Sequence, residues 1–216
     1  MTSAPARRFR AFVVRHGQTP HNQAGRFRGL LDVPLDEAGE RQANEVAAYL
    51  CEQVGLGGER LAGVYASPLR RTRQTAAPFA ARAGMAVQDA PGLLDIDVGD
   101  WQGRLVTEVQ EREPELFAQW SSCPREFVFP GGEGLAAVWR RVVGFCDGLR
   151  AAHGDQDVVL VTHQVPAKLL VLAAIGADLG CFWRLRVDNA AVSLIVDEGQ
   201  GPVATMFNAT GHLSML

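Results

Sequence analysis

No apolar run in the 216-residue chain approaches the roughly 18 residues of a membrane span, and Ala11 to Val14 is too short an apolar stretch for a secretory signal. A cytoplasmic protein with no membrane partner is therefore expected. Cysteine is scarce. Cys51, Cys123, Cys146 and Cys181 stand far apart, which excludes a CxxC metal pair and a dense disulfide framework, so each is read as a small buried hydrophobe. Neither sign of charge dominates: 21 Lys and Arg against 24 Asp and Glu give a net charge of -3, which excludes the basic field that drives nucleic-acid binding. Internal repeats, low-complexity tracts and linkers are also missing. What remains, 47% hydrophobic and 21% charged residues, is the balance of an ordinary globular chain, expected to form one domain over residues 1–216.

Short β-branched runs alternate with helical periodicity. "FRAFVVR" (residues 9–15) reads as a buried strand that ends in the long loop "HGQTPHNQAGRFRGLLDVPL". Asp36 offers a helix N-cap, and Ala43, Val46, Ala47 and Leu50 then recur at the spacing of one buried helical face, with a stop near Gly55. The following "GLGGER" comes after a helix rather than a strand, so it reads as a helix end and not as a phosphate loop. A second strand is expected over Leu61–Ser67, then a helix opened by Pro68, and a short strand near Met85–Val87. Helices are expected over Glu108–Trp120, Leu135–Ala152 and Ala167–Ile175, with strands at Val158–Val161, Val192–Val196 and Val203–Phe207. This alternation predicts an α/β fold with a parallel or mostly parallel sheet covered on both faces.

In such sheets ligands bind beyond the carboxyl ends of the strands. The residues there share one theme: Arg15-His16-Gly17 after the first strand, Ser67 with Arg70 and Arg71 after the second, and Thr162-His163-Gln164 after "VVLV". Two imidazoles and several guanidiniums brought together make an electropositive pocket suited to a dianionic phosphate, which arginine binds bidentately. Of Arg70, Arg71 and Arg73 only one can face such a pocket, because successive helical residues are turned by about 100°. Taken singly, each of these residues also fits a solvated face or a hydrogen-bonded histidine. His21 and His153 are given no role.

The strings "VVRHGQTPHN", "DVPLDEAGERQA", "SPLRRTRQTA", "DIDVGDWQG", "PGGEGL" and "VTHQ", in that order from about Phe9 to Phe207, resemble the histidine phosphatase superfamily, also called the cofactor-dependent phosphoglycerate mutase-like family. The resemblance implies a three-layer α/β/α sandwich in which His16 becomes phosphorylated. It implies that Arg15, Asn22, Arg71 and His163 clasp the phosphate, with Gln164 beside them, and that a carboxylate after the third strand protonates the leaving group. The family arginine falls on Arg71 rather than Arg70. Where the family most often has Glu as the acid this chain has Asp95, one methylene shorter, with Asp97 as the alternative acid. Where the family usually has Ser, this chain has Gly134.

The implied chemistry is metal-independent hydrolysis of a small phosphomonoester, a phosphorylated metabolite, with no cofactor and an oligomeric state left open. A neutral His16 attacks phosphorus while its other ring nitrogen donates to a backbone carbonyl. His163 serves best as an imidazolium, and Asp95 first gives and then takes a proton. The runner-up reading is a phosphoglycerate mutase, and a weakly active phosphate-recognition protein is the third. The 27 residues from 104 to 130 form a shorter segment than the resembled mutases carry there, which favours hydrolysis. Trp101, Trp120, Phe127 and Phe129 flank that segment, either to stack on an organic substrate or to fill the core.

Overall fold

Strand β1 (Phe9–Arg15) buries both of its faces, Phe9, Ala11 and Val13 on one side and Phe12 and Val14 on the other, so it can only be a central strand. In the computed structural model, which describes residues 8–54 and 60–213, it joins β2 (Leu61–Ala66), β3 (Val87–Asp89), β4 (Asp157–Thr162), β5 (Val192–Asp197) and β6 (Pro202–Ala209). These strands form one sheet in the order β3-β2-β4-β1-β5-β6. The β2–β3, β2–β4 and β1–β4 pairings are parallel and the two involving β5 are antiparallel. β1 and β4 run in register from Arg10 opposite Asp157 to Arg15 opposite Thr162, which brings both strands to the same edge where they end.

Seven α-helices, α1 (Pro20–Gln23), α2 (Glu37–Val54), α3 (Arg70–Ala83), α4 (Val106–Arg112), α5 (Pro114–Ser122), α6 (Leu135–His153) and α7 (Gln164–Ala174), and three short 3-10 turns complete the described residues. Val46, Ala47 and Leu50 of α2 and Ala76 and Phe79 of α3 pack with Phe12, Val14, Val64 and Val161 on one face of the sheet. On the other face Val138 and Val142 of α6 and Leu169 and Leu172 of α7 pack with Phe9, Val13 and Leu160. The result is the expected three-layer α/β/α sandwich. Burying each of the Val, Leu and Phe side chains contributes about 1.5–3 kcal/mol, which is what holds the layers together.

Most expected elements lie within a residue or two of their observed ends, and the departures have local causes. The single helix expected over Glu108–Trp120 is two, because Pro114 has no N–H to donate and drives Glu113 to φ -134° and ψ 54°, out of the helical region. Pro68 does not open α3, which starts at Arg70 behind an extended Leu69 that makes no side-chain cap, while Pro78 sits inside the helix. Helix α7 starts at Gln164 rather than Ala167, directly after β4. Strand β3 lies at Val87–Asp89, two residues later than expected. The cysteines are not all buried hydrophobes: Cys123 caps the exposed end of α5 and the other three are half-buried. The "GLGGER" string falls almost entirely on residues 55–59, outside the described residues, although α2 does end at Val54.

Gly134 has a structural reason. A Cβ there would lie 2.8 Å from the Phe127 carbonyl oxygen, next to Val128 with which Gly134 forms an antiparallel bridge, so a serine would require that backbone to shift. Among the described residues no helix is long and apolar enough to cross a membrane.

Candidate active site

Three parallel strands deliver their terminal polar residues to one edge of the sheet. His16 and Ser67 follow β1 and β2, His163 follows β4, and all three are 0% exposed. Arg71 reaches the same place from the first turn of α3 and is equally buried, whereas Arg70 and Arg73 lie outside, as the helical geometry requires. Asp95 enters from the segment after β3 and is 4% exposed.

The loop after β1 is held by close backbone approach. A Cβ on Gly17 would lie 2.6 Å from the Gly39 carbonyl oxygen, so the first turn of α2 can pack here only against glycine. The Gly17 N–H donates to Thr75 Oγ1 at 3.0 Å, and Asn189 Nδ2 donates to the carbonyls of His16 and Gly17 at 3.2 Å. Asn22 Oδ1 accepts from the Thr19 N–H and hydroxyl and from Asn189 Nδ2, which fixes the oxygen inward and leaves the Asn22 amide nitrogen as the available donor.

Hydrogen bonding fixes the state of both histidines. His16 Nδ1 lies 2.7 Å from the Gly17 carbonyl oxygen. A carbonyl only accepts, so Nδ1 carries the proton and Nε2 keeps its lone pair. That nitrogen is buried and meets no hydrogen-bond partner among the described residues. His163 Nδ1 accepts from Arg71 Nε at 3.1 Å, so its proton is on Nε2, which donates to Ser67 Oγ at 2.8 Å. The two rings meet edge to face with centroids 5.3 Å apart.

Burial, reinforced by Arg71, holds both imidazoles well below their ordinary value near 6.5. The ligand-free site therefore keeps His163 neutral, and the imidazolium expected for it requires the arrival of an anion. This has a consequence for stability. The unfolded chain binds protons at these histidines below about pH 6.5 while the folded chain does not, so the stability they contribute is present above that pH and lost as pH falls. Each imidazole should contribute a slope of about 1.4 kcal/mol per pH unit below pH 6.5. Unfolding of the wild type between pH 7.5 and 5, in a buffer without phosphate, should steepen with acid by about one proton relative to His16→Asn. Parallel curves for the two proteins would refute the neutral assignment.

Around these rings lie three guanidiniums, those of Arg15 and Arg71 buried and that of Arg28 half-buried. Burial lowers Arg15 to about 9 and Arg71 to about 10, and it lowers Arg28 as well. Arg15 donates to the Val187 carbonyl at 2.6 Å and Arg71 to the carbonyls of Leu31 and Gly29, which aims both groups. Arg28, from the "GRFRGL" stretch, was not among the expected site residues; nothing in its sequence context distinguishes it from a surface arginine. Asp95 Oδ1 accepts from the Ile96 N–H at 3.0 Å, while Oδ2 lies 3.6 Å from Arg71 Nη2 and 3.8 Å from His163 Nδ1. Burial pushes the Asp95 carboxyl above its ordinary value despite the opposing pull of Arg71 and Arg28. Asp97 is differently placed: its Oδ1 accepts from the Gly99 N–H at 2.9 Å, the turn-forming bond its sequence position allows.

Beside Asp95 opens a cavity of about 280 Å³, lined also by Arg28, Gln164, Lys168, Trp120 and Phe129. Of the four flanking aromatics Trp120 and Phe129 thus reach the cavity, while Trp101 and Phe127 pack behind them in the core. Among the described residues no group of three or more His, Cys, Asp or Glu side chains is placed to hold a metal ion. The arrangement can bind a dianion and offer it one unprotonated imidazole nitrogen and one carboxyl group disposed to carry a proton.

Residues 11–210 match the sequence profile of the histidine phosphatase superfamily (branch 1). The chain is 40% identical over 201 residues to phosphoserine phosphatase 1 of Hydrogenobacter thermophilus, covering 93% of this chain and 92% of that protein. It is 29% identical over 204 residues to the metal-independent phosphoserine phosphatase of Arabidopsis thaliana, covering 94% and 82% respectively. Among solved structures it superposes on Bacillus stearothermophilus YhfR with a TM-score of 0.87 at 25% identity, over 95% of this chain and all of that one.

Proposed function

The chain belongs to the histidine phosphatase superfamily, and we propose that it hydrolyses small phosphomonoesters without a metal, through a phosphohistidine formed on His16. The observation that carries this reading is the His16 tautomer: Nδ1 is tied to the Gly17 carbonyl, and the Nε2 lone pair lies buried beside His163 and the guanidiniums of Arg15 and Arg71. In the first step Nε2 bonds to phosphorus as the ester oxygen departs, and Asp95 gives that oxygen its proton. In the second, water attacks phosphorus, its proton passes to the Asp95 carboxylate, and the nitrogen–phosphorus bond breaks to release inorganic phosphate. Arg15, Arg71, Asn22 and Gln164 neutralise and orient the equatorial oxygens, which is the larger part of the work in phosphoryl transfer. Once the dianion favours the imidazolium, His163 gains a proton on Nδ1, gives up the bond it accepts from Arg71 Nε, and joins them as a donor. Guanidiniums and imidazoles thus supply the positive charge that metal ions supply elsewhere. Residues 1–216 act in this as a single domain, and four unbridged cysteines suit a reducing cytoplasm.

A mutase reading is not favoured, because the two relatives above, which align over 93% and 94% of the chain, are named phosphatases. The test is to mix labelled phosphoenzyme with 3-phosphoglycerate in the presence of a chelator. Release of the label as inorganic phosphate is expected. Efficient transfer to the sugar acid would overturn hydrolysis, and loss of activity restored by zinc or magnesium would overturn metal independence.

A further inference from the structure

Taking a lysine out of water is costly unless its charge is paired. Lys168, on α7 one helical turn after Gln164, is 2% exposed. Its ammonium lies 4.3 Å from the ring centre of Phe182 and 4.7 Å from that of Trp183. Among the described residues no carboxylate or carbonyl binds it. Two aromatic faces recover only part of the lost hydration, about 0.5–2 kcal/mol each. The shortfall shows in its basicity, which burial and the nearby Arg15 lower to about 8.

The ammonium lines the cavity that begins at Asp95, and Arg28 lines it too, with Nε buried and unpartnered. Nothing in the hydrolytic steps requires a cation at Lys168. The cavity's other walls are largely apolar, so an anion placed there is shielded from competing water and strengthens its attraction to the ammonium. At about 280 Å³ it is at the small end of organic-ligand pockets, roughly 300–1,000 Å³, which limits the body between two charged groups to a few carbons.

We propose that Lys168 binds a carboxylate of the substrate, and hence that this enzyme selects short phosphomonoesters bearing a carboxylate, with the phosphate at His16 and the carboxylate in the cavity between Phe182 and Trp183. This rests on the phosphatase reading above and adds a specificity-determining residue to it. The experiment compares O-phosphoserine with O-phosphoethanolamine, which differs from it only by lacking the carboxylate, and uses p-nitrophenyl phosphate as a control. The wild type should prefer O-phosphoserine in kcat/KM. Lys168→Met, which keeps the length and apolar stem, should raise KM for O-phosphoserine relative to O-phosphoethanolamine by roughly 10- to 100-fold, the range for losing a hydrogen bond between charged groups. Lys168→Arg should keep most of the discrimination. Equal effects on both substrates, or a wild type that does not discriminate, would overturn the proposal even if Lys168→Met were too unstable to assay. A wild type that releases phosphate from none of the three esters would instead sink the phosphatase reading itself.

Discussion

His16→Ala should lose turnover by roughly 10⁴-fold or more, the scale seen when a covalent nucleophile is removed, and should take up no label from phosphorylated substrate. In the wild type the label should be acid-labile and base-stable, as a phosphoramidate is. Ser67 is a rival nucleophile, since its hydroxyl lies 2.8 Å from His163 Nε2 in the manner of a serine and its base. The hydrogen bonding argues against it. Arg71 donates to His163 Nδ1, so Nε2 holds the proton and has no lone pair with which to deprotonate the serine. A base-labile, acid-stable label on Ser67 would overturn both the tautomer and the nucleophile.

Asp95→Asn should slow alkyl phosphates by about 10²–10⁴-fold while costing aryl phosphates much less, because a phenol leaves without needing a proton. The amide keeps the shape of the carboxyl group and the bond from the Ile96 N–H, so the change isolates proton transfer. Asp97→Asn should show no such selectivity, since the Asp97 carboxylate is already committed to the Gly99 N–H. The ratio of kcat/KM values for an alkyl and an aryl phosphate, measured for both variants, decides between them. If Asp97→Asn carries the selectivity instead, the acid is two residues further on.

The parts of the fold legible in the sequence are those fixed by local chemistry. Phe9 to Arg15 is apolar on both faces and could only be a central strand, and Ala43, Val46, Ala47 and Leu50 spell out one helical face. The break at Pro114 was also written there, because proline restricts the residue before it, yet the surrounding periodicity masked the signal. Within the site, residues directly after strands were identifiable since the fold rule says where strand ends go. Arg28 and Lys168 were not, because the one comes from a long loop and the other from within a helix, and only the packed sheet turns them toward Asp95. Asn189, far along the chain, was invisible for the same reason: its amide bonds to His16 and Gly17 exist only after β5 has paired with β1.

The place of β1 between β4 and β5 also governs how the molecule must be made. Strand β1 is apolar on both faces, yet its parallel partner begins at Asp157, 147 residues after Arg10. Until that partner is synthesised, β1 lacks both of its neighbours in the sheet, β4 and β5, so the nascent chain carries an unpaired apolar strand across those 147 residues. Closing so large a loop before any pairing rewards it makes the docking of β1 a slow, late event. Because His16 and His163 sit at the ends of those two strands, the phosphate pocket comes into being only with that docking. Binding of inorganic phosphate during refolding would therefore time the completion of the whole sheet.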